Sequence, residues 1–88
     1  MIKTERKIIL SQEFLKETKR LDSFLKGKLK KQINKILENP EIGKPLRYLR
    51  GERSVYIHPF RLIYVYSKNN NEIIFLKFGH RKDVYSNL

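Results

Sequence analysis

The second half of the chain is rich in side chains that suit phosphate chemistry, namely arginine, lysine, tyrosine and histidine. An arginine stays protonated and can hold two phosphate oxygens with its planar fork, and an imidazole exchanges protons near neutrality. The two histidines, His58 and His80, lie in different segments with few acids near them. Because zinc and magnesium sites need clustered ligands, we expect neither a metal nor a cofactor.

These residue types suit the cleavage of RNA by its own 2′-hydroxyl, which attacks the adjacent phosphorus and expels the 5′-oxygen. An enzyme then supplies a base, an acid and fixed positive charge around the transition state. The sequence offers no glycine-rich phosphate loop, no nucleophile elbow and no helical histidine pair that would indicate another reaction. His80 is a candidate for proton transfer, and a hydrogen-bonded histidine at a strand end is the alternative. His58, beside Pro59 in a predicted turn, is expected to be structural.

The charge of the chain predicts a polyanionic partner. Lysine and arginine number 20 against 9 acidic residues, which gives a formal net charge of +11. Such a surface attracts RNA, DNA or an acidic protein. Without cysteine, disulfides and thiolate chemistry are excluded, and neither an export signal nor an apolar run of membrane length is evident. We expect a cytoplasmic protein with no membrane association.

The first half of the chain has apolar residues at helical spacing. A short strand is predicted over residues 5–10, and Ser11 is well placed to cap the helix that follows. Apolar residues continue at helical spacing to Leu37, interrupted where Asp22 can cap a second helix. Asn39 is biased away from helix by the proline after it, so a helical hairpin is predicted to end there.

The second half has the composition of strands. Residues 54–58, 60–66 and 73–78 are rich in β-branched and aromatic residues and follow a loop predicted at 41–45. The expected fold is α+β: an N-terminal strand, a helical hairpin, then three antiparallel strands in one small sheet packed on the helices. Residues 1–88 are expected to form a single domain, because so short a chain builds only one core.

Two stretches resemble the RelE/ParE toxin superfamily: residues 53–64, RSVYIHPFRLIY, and residues 78–85, FGHRKDVY. With the helical hairpin, the similarity covers most of the chain. The resemblance implies a RelE-like fold and a toxin held inactive by a cognate RelB-like antitoxin. In the RelE branch such a toxin enters the ribosomal A site and cleaves mRNA there, without a metal.

The resemblance also implies site residues. Arg61, Arg81 and Tyr85 match the positions that contact phosphate or move protons in RelE, and His80 is added from its own chemistry. Where RelE carries two lysines on the preceding strand, this sequence has Ser54 and Tyr56. That departure leaves the general base unassigned. It keeps two alternatives open, a ParE-like DNA gyrase inhibitor without nuclease activity and an inactive antitoxin-binding member.

Basic residues on the helices, loops and strands are expected to bind RNA: Lys26, Lys30, Lys44, Arg47, Arg53, Lys77 and Lys82. The strand tyrosines Tyr56, Tyr64 and Tyr66 are expected to pack in the core or across strands.

Overall fold

The computed structural model describes residues 6–46 and 51–80. Within them the chain forms two helices and a five-stranded mixed sheet of strand order β1-β5-β4-β3-β2, so the predicted α+β class is confirmed. The elements are β1 Lys7–Leu10, α1 Gln12–Thr18, α2 Ser23–Glu38, β2 Lys44–Pro45, β3 Glu52–Ile57, β4 Phe60–Ser67 and β5 Glu72–His80. No helix in these described parts is long and apolar enough to cross a membrane.

The helical hairpin begins at the two predicted caps. The Ser11 hydroxyl accepts a hydrogen bond from the Phe14 backbone nitrogen at 3.0 Å and donates to the Leu76 carbonyl at 2.8 Å. Asp22 accepts from the Leu25 backbone nitrogen at 2.8 Å and so caps α2. Each cap satisfies an amide that has no partner inside its helix. The Ser11 bonds also tie the start of α1 to strand β5.

The sheet contains the three predicted antiparallel strands, β3, β4 and β5, with β1 added parallel to β5. The prediction of a loop over 41–45 is wrong at its last two residues. Lys44 and Pro45 form β2, in which Lys44 pairs with Ser54 and Pro45 with Arg53. A proline is tolerated there because β2 lies at the edge of the sheet, where a missing amide costs no inner hydrogen bond.

Both described helices pack on one face of the sheet; the other, here called the open face, has no described helix against it, although Ser54 and Ile63 on it are buried. The core on the helix side consists of Phe14, Leu29, Ile36, Ile57, Leu62, Tyr64, Ile73, Phe75 and Phe78. Successive strand residues point to opposite faces, so Tyr56 and Arg61, each one position from a core residue, point away from the helices. The sequence therefore places two polar, chemically capable side chains on the open face.

Candidate active site on the open face of the sheet

Arg61 and Tyr56 face each other across the β3–β4 hairpin. They are paired in the strand register, and the guanidinium carbon of Arg61 lies 4.2 Å from the centre of the Tyr56 ring. A cation at this distance is attracted by the negative face of the ring. On the other side, Arg61 pairs with Gly79 of β5, which contributes no side chain to the site. Tyr56 is 47% exposed, so the pair is open to a ligand.

The Arg61 guanidinium has hydrogen-bonding capacity that the described chain does not use. Its Nε atom is buried without a hydrogen-bond partner. Buried donors are paired in the great majority of cases, and leaving one unpaired costs about 1–3 kcal/mol. An unpaired buried donor calls for an explanation, and a catalytic role is one such explanation.

Tyr56 is hydrogen-bonded to a second titratable side chain. Its hydroxyl lies 2.5 Å from Nδ1 of His58, and the two rings meet edge to face with centroids 5.5 Å apart. His58 lies in the turn directly after β3, where its ring contacts both the Tyr56 hydroxyl and the pocket beside α2. Arg61, Tyr56 and His58 thus form one contiguous group, here named the open-face cluster.

A basic pocket adjoins the open-face cluster at His58. It has a volume of about 350 Å³ and is lined by Lys28, Lys31, Gln32, Lys35, Ile57 and His58. The three lysines are spaced at three and four residues, so they lie along one side of α2. A polyanion bound along this side of α2 would pass directly to the His58 end of the cluster.

Of the four predicted catalytic residues, the structure describes Arg61 and His80 and does not bring them together. Arg61 lies in the open-face cluster. His80 pairs with Phe60 in the register, and its ring is 6.3 Å from the Phe60 ring, so it lies on the helix side of the sheet and not beside Arg61. Arg81 and Tyr85 lie outside the described residues. The catalytic roles of all four stay predictions.

Three of the predicted RNA-binding lysines are exposed. Lys26 and Lys30 lie on α2, on the side away from the basic pocket, and Lys44 lies on the edge strand β2. Arg47 and Lys82 fall outside the described residues. The exposed lysines remain available to a polyanion, and their RNA contacts stay predictions.

Two other predicted RNA-binding residues have partners within the chain. Arg53 donates from Nη1 to the carbonyls of Glu41 at 3.0 Å and Gly43 at 2.8 Å, which ties the loop after α2 to β3. Lys77 is only 19% exposed and its Nζ lies 3.8 Å from a Glu13 carboxylate oxygen. Arg53 therefore has a structural role in addition to its charge.

Sequence reasoning missed the pairing of Tyr56 with His58, although the sequence contained a signal for it. A tight turn at residues 58–59 pairs residue 57 with 60 and residue 56 with 61. The pattern Tyr-x-His-Pro-x-Arg therefore places Tyr56 opposite Arg61 with His58 two positions away. The prediction that the strand tyrosines pack in the core or across strands agrees with the buried Tyr64 and with Tyr56, which packs across strands against Arg61 while staying half exposed.

The fold is shared with solved toxin structures. The isolated E. coli RelE toxin is 25% identical with a TM-score of 0.78, and the match covers 94% of each chain. The E. coli RelBE toxin-antitoxin complex gives 23% identity and a TM-score of 0.78 over 86% of this chain and 96% of the other. The RelB-RelE complex from Methanococcus jannaschii gives 16% identity and a TM-score of 0.72 over 91% and 98%. No curated protein sequence matches the chain. The architecture is that of a RelE-like toxin.

The family follows from the sequence match. The family described as ParE toxin of type II toxin-antitoxin system, parDE, matches residues 8–85. The chain belongs to this family, within the RelE/ParE superfamily, and is a toxin of a toxin-antitoxin system. The resemblance stated from residues 53–64 and 78–85 is confirmed.

Proposed function

We propose that this toxin is an endoribonuclease that cuts mRNA in the ribosomal A site and so stops translation. The observation that supports this proposal best is the open-face cluster, in which the Arg61 guanidinium lies over Tyr56 and its buried Nε has no hydrogen-bond partner among the described residues. The reaction is attack of the RNA 2′-hydroxyl on the adjacent phosphorus, which needs no metal.

Arg61 is proposed to stabilise the negative charge that develops on the phosphorane-like transition state. Fixed donors aimed at developing charge contribute about 2.7–4 kcal/mol, or a factor of about 10²–10³ in rate. Arg81 is proposed to share this role. Tyr85 is proposed to move a proton, on the basis of the resemblance. The geometry does not support the same role for His80, because His80 lies on the helix side of the sheet, opposite Arg61.

The ribosome is proposed to supply the orientation that this small site lacks. Tyr56 and His58 are exposed rather than enclosed in a cleft, so the cluster is not expected to align a 2′-hydroxyl with the leaving oxygen by itself. Holding reactants in line contributes several kcal/mol to catalysis. Cleavage of free RNA should therefore be much slower than cleavage in the A site. The basic pocket and the exposed lysines are proposed to hold RNA phosphates.

A second candidate function is inhibition of DNA gyrase without nuclease activity. The match to the ParE toxin family favours it, and so do Ser54 and Tyr56 at the positions where RelE carries lysines. Such an inhibitor would act through protein contacts and has no chemical need of an arginine held ready beside a tyrosine and a histidine. The open-face cluster is the reason for preferring the ribonuclease.

The proposed partner is a RelB-like antitoxin. The E. coli toxin of the same fold occurs in an intact complex with its antitoxin. In this chain an apolar groove between β1 and the two helices is lined by Leu10, Leu15 and Ile33, with Lys19 and Lys26 at its rim. Leu10 and Leu15 are 43% and 48% exposed. An amphipathic segment with acidic flanks suits such a groove, because its apolar face covers the leucines and its acids pair with the lysines.

The test is primer extension on a message in a purified translation system. The wild-type toxin should produce new cuts within A-site codons, and Arg61→Ala and Arg81→Ala should each reduce them about 10²-fold or more. A Lys68→Gln variant, altered in the distant β4–β5 turn, serves as the charge-matched control. If the message stays intact while purified gyrase is inhibited, the ribonuclease proposal is wrong and the second candidate is supported.

A further inference from the structure

We infer that Tyr56 and His58 are the proton-transfer pair of this site. Tyr56 is the catalytic residue that takes the proton of the attacking 2′-hydroxyl, and His58 acts through Tyr56 by accepting the phenol proton. This inference rests on the proposed ribonuclease function. It assigns the general base, a role that neither Arg61 nor the residues matched by the family resemblance provide.

The geometry of the pair is that of a proton relay. The Tyr56 hydroxyl and His58 Nδ1 are 2.5 Å apart, a short hydrogen bond along which a proton can pass. The Tyr56 hydroxyl is presented on the open face, because the residue is 47% exposed. His58 is exposed at the β3–β4 turn, so a proton it accepts can leave to solvent. In a buried pair with only a structural role, the substrate could not reach the tyrosine and solvent could not reach the histidine.

The charges around the pair suit an anionic substrate and a transition state with extra negative charge on phosphorus. The Arg61 guanidinium carbon is 4.2 Å from the Tyr56 ring centre, so a fixed positive charge adjoins the proposed base. On the other side, Lys28, Lys31 and Lys35 line the pocket that His58 shares. A phosphodiester held between these cations has its ribose beside the tyrosine hydroxyl.

The step balances without a further reactant except water. The 2′-oxygen forms a bond to phosphorus while its proton moves to Tyr56 Oη, and the phenol proton moves to His58 Nδ1. The bond between phosphorus and the 5′-oxygen breaks, and the 5′-oxygen takes a proton from water. The proton on His58 then passes to solvent and neutralises the hydroxide. The products are a 2′,3′-cyclic phosphate and a 5′-hydroxyl end.

The first test is Tyr56→Phe in the purified translation system, measured as single-turnover cleavage. The variant keeps the ring beneath Arg61 and should lose about 10²–10⁴-fold in rate, the usual contribution of a positioned base. Tyr66→Phe, a tyrosine near the other end of β4, should cleave at the wild-type rate. Thermal unfolding of both variants at the wild-type temperature shows that their folding is intact.

The second test separates base from acid with a message whose scissile 5′-oxygen is replaced by sulfur. A thiolate leaves without protonation, so loss of an acid is rescued by this substrate and loss of a base is not. Tyr56→Phe should remain as slow, relative to wild type, on the sulfur substrate as on the oxygen substrate. Recovery to the wild-type rate would overturn the assignment of Tyr56 as the base.

The third test concerns His58. In His58→Asn the amide oxygen takes the place of Nδ1 as a hydrogen-bond acceptor but cannot take a proton. It should be as slow as His58→Ala, and added imidazole should restore His58→Ala. Full activity of His58→Asn would show that the histidine only positions the tyrosine and would overturn the relay.

If wild type cleaves and Arg61→Ala does not, while Tyr56→Phe is fully active, the inference fails and the ribonuclease proposal stands. If wild type itself does not cleave, the ribonuclease proposal fails.

Discussion

The hydroxyl of Tyr64 accepts a hydrogen bond from the backbone nitrogen of Gly43 at 2.9 Å and fills the space that a side chain at position 43 would need. The same hydroxyl donates to the Pro40 carbonyl at 2.7 Å. One buried side chain of β4 thereby holds both ends of the segment that leads from α2 to the edge strand β2. This contact fixes the C-terminal end of α2 relative to the sheet, and α2 carries the lysines of the basic pocket.

Gly43→Ala should destabilise the protein by about 2 kcal/mol, within the range for overpacking a buried site. A Cβ atom at position 43 would lie 2.6 Å from the Tyr64 hydroxyl oxygen and 3.0 Å from Arg53 Cβ. Tyr64 cannot move aside, since it is fully buried and bonded twice. Urea denaturation measures the loss. The control is Gly27→Ala on an exposed stretch of α2, where a Cβ meets nothing within 4 Å and should stabilise the helix by up to about 1 kcal/mol. Equal stabilities for the two variants would contradict the close packing.

Tyr64→Phe should cost about 1–3 kcal/mol, because it leaves a buried amide and a buried carbonyl without a partner. The cost should depend on pH. Burial is the main cause that raises the pKa of Tyr64 above its ordinary value of 10.0, with the nearby Gly43 hydrogen bond acting in the opposite direction. Below pH 10 both the folded and the unfolded chain keep the phenol neutral, so the contribution of the Tyr64 hydroxyl to the free energy of unfolding is fully present.

Above pH 10 the unfolded chain loses the Tyr64 proton first, and stability falls as the pH rises toward the folded pKa. The difference in unfolding free energy between wild type and Tyr64→Phe should therefore shrink between pH 9 and pH 11, with the loss concentrated above pH 10. Gly27→Ala keeps the tyrosine and should lose stability in parallel with wild type. A difference that is constant across this range would show that the hydroxyl does not titrate as argued.

Much of the fold could be predicted from local sequence because the caps and periods are local. The two helix N-caps, the end of α2 before Pro40 and the three antiparallel strands follow from side chains within a few residues of each boundary. The parallel pairing of β1 with β5 was not predicted, because it joins residues about 65 positions apart, such as Lys7 with Glu72. No local sequence pattern indicates a strand partner that is so distant along the chain.

The site was harder to predict than the fold for a physical reason. Arg61 was identified by resemblance. Tyr56 has the features of an ordinary aromatic residue in a strand, and only the hairpin register shows that it lies opposite Arg61. His80 stands next to Arg81 in sequence, yet strand alternation turns it toward Phe60 on the helix side. Residue types indicated the chemistry, whereas membership of the site depends on which face each strand residue occupies.

Ser11→Ala should be more destabilising than Asp22→Ala, although both remove a helix N-cap. Each loses a capping bond worth about 1 kcal/mol. Ser11 also donates to the Leu76 carbonyl on β5, so its loss removes a second, partly buried hydrogen bond at a further cost of about 1 kcal/mol. Thermal or urea unfolding of the two variants measures the difference. A larger loss for Asp22→Ala would show that the bond to β5 contributes nothing to stability.

The basic pocket should contribute to RNA affinity in a way that depends on position and not only on net charge. Lys31 and Lys35 line the pocket beside His58, whereas Lys7 and Lys68 lie near the opposite end of the sheet, where the Lys7 amide donates to the carbonyl of Asn71. Each phosphate contact to single-stranded RNA releases bound counterions, so the logarithm of affinity falls with the logarithm of salt with a slope of about −0.7 per contact.

The double variant Lys31→Gln/Lys35→Gln should therefore bind a short single-stranded RNA more weakly, with a slope less steep by about 1.4. The double variant Lys7→Gln/Lys68→Gln removes the same charge and should leave the slope close to that of wild type. Fluorescence anisotropy from 50 to 200 mM salt measures both. If the two variants lower affinity and slope equally, the attraction comes from net charge alone and the lysines beside His58 do not form an RNA-binding site.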